Sequence, residues 1–483
     1  MAELIQVAGG SPLTIQTNYG ERPSQQIKSM LTPDDYNLEE VYIITASGQR
    51  NLKNMLVEIS YYEDIFKGSI SGNIVINDSL HLIERLGISG FDYIKLKFSK
   101  TINASDAATI EKYFRVYRVS ERLLNNNATE TYSIHFCSEE LLLSEQIKIS
   151  KSYPGKKVSE IVFDVLYNYL KIDKKYIRIQ ETDGIFDFVI PFKNPFQTIN
   201  WLSNYAIPIG KIGADFVFYE NSEGFNFYSL QNLFSQSPYN YYAYIPRNLG
   251  NAPIIENLSS EIARNLVSIK SFSFLDTFDT LYGITTGAFA NKLISIDPFT
   301  MTYKETNFDY QKYFDKSVTL NLYPIVPNLK NRLGKTANQC FDSVLKVVTT
   351  NSNQKKAKGI SEKPWAVAND TFSENSIPNR TAQIALSHYS RLKISLPGDP
   401  NLTVGMIISI SLPSNRGKDG SGIQNGNKDI YHSGNYMITA VRHIIDVNNK
   451  YETILEVVRD SLGGSIDNYT NSGDLENAIR GKL

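Results

Sequence analysis

The chain reads as an α+β, β-rich fold, with antiparallel structure of the sandwich or barrel kind near both ends and an α+β region between them. Three observations predict it. Short runs with apolar residues at alternate positions recur in 38–145 and again in 375–465, separated by turn residues. Tyr (30) and Phe (24) are abundant, and Val, Ile and Thr fill the same runs. Apolar residues at helical spacing are concentrated in between.

Residues 1–37 are polar, with Gly9-Gly10, Pro23 and the run TPDD, and read as an extended arm that needs a neighbour to order it. From Leu38 the strand-like runs are EVYIITASG, NMLVEISYYEDIF, GSISGNIVIND, FDYIKLKFSK, KYFRVYRVSERL and ETYSIHFCSEE. In YIKLKF, Ile94, Leu96 and Phe98 share one face and Lys95 and Lys97 the other, so one side of the strand is buried. SLHLIERLG (79–87) predicts a short helix capped by Ser79 and ended by Gly87.

Farther along, Val158, Ile161, Val162, Val165, Leu166 and Leu170 recur at helical spacing. Asn194-Pro195 supplies an N-cap followed by proline in the first turn, with Ile199, Leu202 and Ala206 as the apolar stripe. ADFVFYENSEGFNFYSL predicts a hairpin turning at 221–224. NLSSEIARNLVSIKSFSF starts as helix or strand, two strand-like runs flank Asp297-Pro298, and NQCFDSVLKVVTT reads as a short helix. LKISLP and VGMIISISLP are strands around the turn PGDPN, 414–433 is a long glycine- and asparagine-rich loop, and 434–462 is two strands joined by a turn. These shifts divide the chain into an arm (1–37), a first β domain (38–145), an α+β middle region (146–374, with segments open to joining the second β domain), a second β domain (375–465) and a polar tail (466–483).

A chain of 483 residues has room for about three domains of ~150 residues. Its 49 Lys and Arg balance 50 Asp and Glu, which disfavours a protein that grips nucleic acid by its phosphates. Cys137 and Cys340 lack metal-ligand spacing; two unrelated thiols fit a reducing cytosol, with one disulfide as the alternative. MAELIQVAGGSPLTIQ lacks the basic-then-apolar order of a secretory signal, and no apolar run approaches the ~20 residues of a spanning helix. The expectation is a soluble chain made in the host cytoplasm, with no membrane insertion.

Candidate chemistry is sparse. His432 and His443 lie near Asp429, a conceivable metal set, although two histidines flanking one strand are more often ordinary polar positions. His443 also has Arg442 beside it and Glu452 and Asp460 within reach in sequence, while His81, His135 and His388 join no motif. LGKT (333–336) resembles the end of a phosphate loop, but Leu329 stands where the leading glycine belongs. GSGIQNG (420–426) has the wrong glycine spacing for a dinucleotide turn. Asp34-Asp35, Glu39-Glu40 and Glu139-Glu140 are adjacent carboxylates, which on a strand point to opposite faces and cannot act as a glycosidase pair. No nucleophile elbow occurs. The reading is that catalytic, cofactor-binding and metal sites are none, with interface residues unknown.

One internal echo stands out. The turn at 125–127 matches the turn at 448–449; each follows an alternating strand, each precedes a second strand ending in an acidic-then-Leu finish (Glu139-Glu140-Leu141; Asp460-Ser461-Leu462), and each is preceded by a further strand. Identities are few, so the alternatives are a duplicated domain and two hairpins that look alike because hairpins do.

Three blocks carry a family resemblance. VEISYYEDIFKGSISGNIVINDSLHLIERLGISGFDYIKLKF (57–98) resembles the first domain of baseplate hub proteins of contractile-tailed, T-even-like bacteriophages. NPFQTINWLSNYAIP with ADFVFYENSEGFNFYSL (194–230) resembles that family's middle region. LKISLPGDPNLTVGMIISISLP with YHSGNYMITAVRHIIDVNNKYETILEVVRDSL resembles its last block. The resemblance implies two similar β-barrel tube domains per chain in a homotrimer. Three chains would then present a pseudo-six-fold ring between a trimeric central spike protein and a hexameric tail tube protein, in contact with baseplate wedge proteins. The channel would give DNA transient, non-specific passage, no cofactor is implied, and the location is the virion's tail baseplate. A bacterial contractile injection system is the neighbouring alternative, a tail-associated cell-wall hydrolase a less favoured one, and a host-binding tail protein with affinity for carbohydrate a third.

Overall fold

The computed structural model describes residues 3–5, 13–15, 36–103, 106–126, 129–210, 215–244, 266–298, 301–326, 331, 334–349, 373–413, 429, 431–446 and 450–464. Most of the arm, most of the 414–433 loop and the tail therefore lie outside the described residues.

One 13-stranded sheet dominates. Along it run Ser271–Asp276, Arg391–Pro397, Lys450–Val458, Gly434–Asp446, Leu56–Asp64, Ser71–Asp78, Thr129–Cys137, Asp106–Asn126, Tyr93–Asn103, Asn37–Thr45 and Gly48–Asn51. Ile407–Ser411 pairs with the start of Gly434–Asp446, and Tyr241–Ala243 pairs in parallel with Ile407–Ser411.

Two runs of five strands within this sheet share one topology. In chain order the first unit is Leu56–Asp64, Ser71–Asp78, Tyr93–Asn103, Asp106–Asn126 and Thr129–Cys137. The second is Ser271–Asp276, Arg391–Pro397, Ile407–Ser411, Gly434–Asp446 and Lys450–Val458. In both, the spatial order is third, fourth, fifth, second, first, with every neighbour antiparallel. The register agrees as well. Tyr93 faces Arg115 as Ile407 faces Met437, and the next residue, Val116 or Ile438, donates its N–H to the residue before the third strand (Asp92 O 2.8 Å; Met406 O 2.9 Å). One residue later both hairpins bulge, between Val116 and Arg118 and between Ile438 and Ala440. A bulge bends its strand and re-aims the residues beyond it.

The β-rich, antiparallel architecture is as expected, and among the described residues neither unit closes into a barrel of its own. The fourth strand of the second unit pairs along one edge first with Ile407–Ser411 and then, from Ala440 to Asp446, with Asp64 to Glu58 of the first unit. That edge carries the sheet onward instead of closing it. The sheet nevertheless curls: the Tyr36 hydroxyl donates to Asp446 O (2.9 Å), and the Lys100 ammonium donates to Gly398 O (2.5 Å). Residues from Leu38 to Phe136 share one buried cluster with Ile445 and Tyr451.

The middle region is α+β. Helices Val158–Asp164 and Pro195–Leu202, the former continued by the π-helical Val165–Tyr169, contribute to one core with the hairpin Phe216–Asn221/Gly224–Ser229. The hairpin turns where the sequence predicts. A separate hairpin, Ala290–Asp297 with Thr302–Asp309, is joined in parallel by Leu345–Thr349.

Four local expectations change. The helix Leu82–Leu86 ends at the left-handed Gly87 as read, but the carboxylate of Asp78, not Ser79, accepts the N–H groups of Leu80 (2.7 Å) and Leu82 (2.6 Å). The NQCFDSVLKVVTT run is two 3₁₀ turns, Ala337–Gln339 and Phe341–Ser343, and then a strand; its alternating Leu345 and Val347 fit a pleat. Glu139-Glu140 begins the helix Glu139–Gln146 rather than ending a strand, because Ser138 turns the chain there and acidic residues favour a helix start. Finally, the strands flanking PGDPN do not pair with each other: Arg391–Pro397 lies between Ser271–Asp276 and Lys450–Val458.

Candidate functional site at the seam of the two units

The two units meet where Leu56–Asp64 lies against 440–446, and the alternation of each strand decides what enters the seam. His443 faces Tyr61 on one side and Thr453 on the other, so it points inward with them. Its Nδ1 is 2.8 Å from the Tyr451 hydroxyl and 3.2 Å from Thr453 Oγ1. Burial lowers its pKa to about 3, so the imidazole is neutral. Arg442 points to the opposite face, where it meets Glu58 (3.1 Å) and the Ser60 hydroxyl (2.9 Å) across the seam. Glu452 accepts from Ser395, and Asp460 accepts from the Leu320 N–H (3.1 Å). The four charged or polar residues that look like a cluster in sequence are thus distributed over both faces and the far end of the hairpin.

The same face brings together charges that the sequence reading passed over. Glu63 is buried; Tyr61 donates to its Oε1 (3.0 Å) and the Val404 N–H to its Oε2 (3.2 Å). Desolvation raises its pKa to about 7. Nearby, the buried Glu220 of the middle hairpin accepts the Ile70 N–H (2.9 Å) and forms an ion pair with the buried Lys112. Lys112 also donates to the Ser138 hydroxyl (3.2 Å). Desolvation raises Glu140 to about 7 despite the attraction of Lys112. Lys112 and Ile70 belong to the first unit's part of the chain, Glu220 to the middle region, and Val404 to the second unit. Buried charges survive only when paired and hydrogen-bonded, so these contacts fasten three parts of the chain at one place.

Such an arrangement is suited to holding parts of the chain together. Glu58, Glu63, Glu220, Glu452 and Asp460 each accept from an N–H, a hydroxyl or an ammonium of the protein itself. His432 lies on Asp429 (Nδ1–Oδ2 2.7 Å), away from His443, and no group of three or more His, Cys, Asp or Glu suited to a metal ion occurs among the described residues. Cys137 is buried and Cys340 partly so, and both are free thiols. Glu39 meets Lys97 (3.2 Å) and Glu40 meets Lys95, both on the outer face of the sheet, because a bulge between Leu38 and Glu40 breaks the alternation expected to send them to opposite faces. His81 lies 4.0 Å from Glu130, His135 contacts Ser120 (2.6 Å), and His388 lies beside the Phe66 ring. Thr336 caps a 3₁₀ turn, while GSGIQNG and Asp34-Asp35 lie outside the described residues.

No protein-family model matches the chain. It is 21% identical over 447 residues to the probable baseplate hub protein gp334 of Vibrio phage KVP40, covering 90% of this chain and 97% of that one. Among solved structures, a tail protein of Neisseria meningitidis MC58 aligns with TM-score 0.48 at 10% identity, over 88% of this chain and 97% of that one. A 43 kDa tail protein of prophage MuSo2 from Shewanella oneidensis aligns with TM-score 0.48 at 9% identity, over 87% and 98%. The resemblance carried by the three sequence blocks is therefore met by a relative along nearly its full length.

Proposed function

Because the chain is a relative of a phage baseplate hub protein over 90% of its length, we propose that it is the hub of a contractile tail's baseplate. In this reading three copies form a ring that joins a three-fold spike to a six-fold tube and lets DNA through without gripping it. The chain is a structural element and not an enzyme. The 38–145 region supplies one tube domain, and the 375–465 region, joined by Ser271–Asp276 from the middle region, supplies the other.

The observation that carries the symmetry argument is the repeated five-strand unit, with one strand order, one pairing sense and one bulge position. A chain with two such units gives a trimer six similar faces on one side while it keeps three on the other. The balanced charge fits a channel from which DNA must leave. The seam and its buried charges fit a part that must hold its two units in a fixed relation.

Mass measurement of the purified chain, alone and mixed with a trimeric spike protein of a contractile tail, tests the reading. The expected species contains three copies of the 54.6 kDa chain. Monomer alone under both conditions contradicts it, and a lytic band on a cell-wall gel would favour the hydrolase reading instead.

A further inference from the structure

The seam within the chain pairs the first strand of one unit with the second half of the fourth strand of the other. Each unit has both parts, so the second unit has a first strand, Ser271–Asp276, and the first unit a fourth-strand segment, 117–126, that the chain does not use in this way. Among the described residues, Ser271–Asp276 is the end of the sheet and pairs only with Arg391–Pro397. Among the described residues, segment 117–126 pairs only with Thr129–Cys137, because its ladder with Tyr93–Asn103 stops at Arg115.

Exposure marks both edges as unfinished. In the seam, 440–446 alternates between half-buried and buried at every step. The matching segment loses that alternation: Tyr117 is 47% exposed, Leu123 63% and Leu124 65%. On the other edge Phe274 is 36% exposed, Leu275 44% and Phe278, just beyond the strand, 69%. Edge strands with bare N–H and C=O groups and apolar side chains invite pairing with another chain.

We propose that Ser271–Asp276 of one copy pairs antiparallel with 117–126 of a second copy, repeating the internal seam between molecules. Its closure into a ring rests on the trimeric reading above. The contact is head-to-tail, and a head-to-tail contact closes when its rotation divides the circle.

The internal repeat also sets the register. Ser71 faces Cys137 as Arg391 faces Val458, so Tyr62 (opposite Ser71) corresponds to Asp276 (opposite Arg391). Arg118 faces His135 as Ala440 faces Glu456, so Ser120 corresponds to Arg442. Since Arg442 faces Tyr62 in the seam, Ser120 of one copy faces Asp276 of the next. The irregularities at Ser120/Leu123 and Phe274/Asp276 then fall opposite each other, which lets both strands carry extra residues without losing register.

The test combines Ser120→Cys with Asp276→Cys in a Cys340→Ser background, under mild oxidation. Linked dimers and trimers on a non-reducing gel are expected, and Ser120→Cys with Ser271→Cys, five residues out of register, is expected to link at least tenfold less. A second measurement needs no substitution: amide hydrogen exchange at 117–124 and 271–276 slows at least tenfold in the assembled chain against the dilute chain. Trimers by mass with no linkage and unchanged exchange at both edges overturn the pairing and leave the hub reading standing. Monomers at every concentration overturn both.

Discussion

In the first unit, Gly72 of the second strand faces Phe136 of the fifth; at the equivalent register in the second unit, Leu392 faces Val457. All four are buried. A Cβ at Gly72 would overlap the Phe136 ring and the Ser60 carbonyl, so the ring occupies the space that Leu392 fills from the other strand. What the two units share is a volume per cross-strand pair, not a residue at each position. Paired exchanges of this kind explain how one topology persists while few identities remain. The units also differ in their links to the rest of the chain. Lys112 ties the first to the middle hairpin through Glu220, whereas the corresponding place in the second is Gly434, which has no side chain.

The largest expected effect breaks that tie. Lys112→Met leaves Glu220 a buried carboxylate without its cation, and urea unfolding should show a loss of about 3–5 kcal/mol. An unchanged midpoint would mean that the pair is not formed.

Next is pH. Burial holds Glu63 at about 7, above the ~4.3 of an unfolded glutamate, so between these values the folded chain keeps a proton the unfolded chain has released. Its favourable contribution is complete below about pH 4 and is lost as pH rises through 7, on the order of 3 kcal/mol. Glu63→Gln should therefore be more stable than the parent at pH 8, with the difference vanishing toward pH 4. Parallel stability curves for the two proteins would contradict this.

Gly72→Ala sharpens the volume comparison. Overpacking against Phe136 and the Ser60 carbonyl should cost about 1–3 kcal/mol, and the same substitution made in Phe136→Val should cost less, the part due to the Ser60 carbonyl remaining. Additive losses in thermal melts would refute the exchange. The smallest effect belongs to the exposed face of the seam, where Arg442→Ala removes the contact with Glu58 and should shift stability by less than about 1 kcal/mol.

Much of this was legible at the level of single strands and turns. The hairpins at 216–229 and 434–458, the helix end at Gly87 and the helix start at Pro195 come from local patterns, although the Asn194 side chain makes no cap hydrogen bond. Pairing across long sequence separations was not, because alternation says which face a residue takes and nothing about which strand lies beside it. Ser271–Asp276 meets Arg391–Pro397 more than a hundred residues away, and the two strands around PGDPN look like a hairpin yet have different partners. The buried charges could have been found by carrying the period one step further. Ile94, Leu96 and Phe98 lead on the same face to Lys100; Lys112 precedes Phe114 and Val116; Ile59 and Tyr61 precede Glu63. A charge in phase with a buried stripe is the signal.

Electron micrographs of the purified, assembled chain, averaged with no symmetry imposed, should show a three-fold ring whose inner wall holds six similar strand units alternating between first and second around the axis. A ring with three units of one kind facing the channel and three of the other kind outside it, or particles with no three-fold axis, would contradict the hub reading.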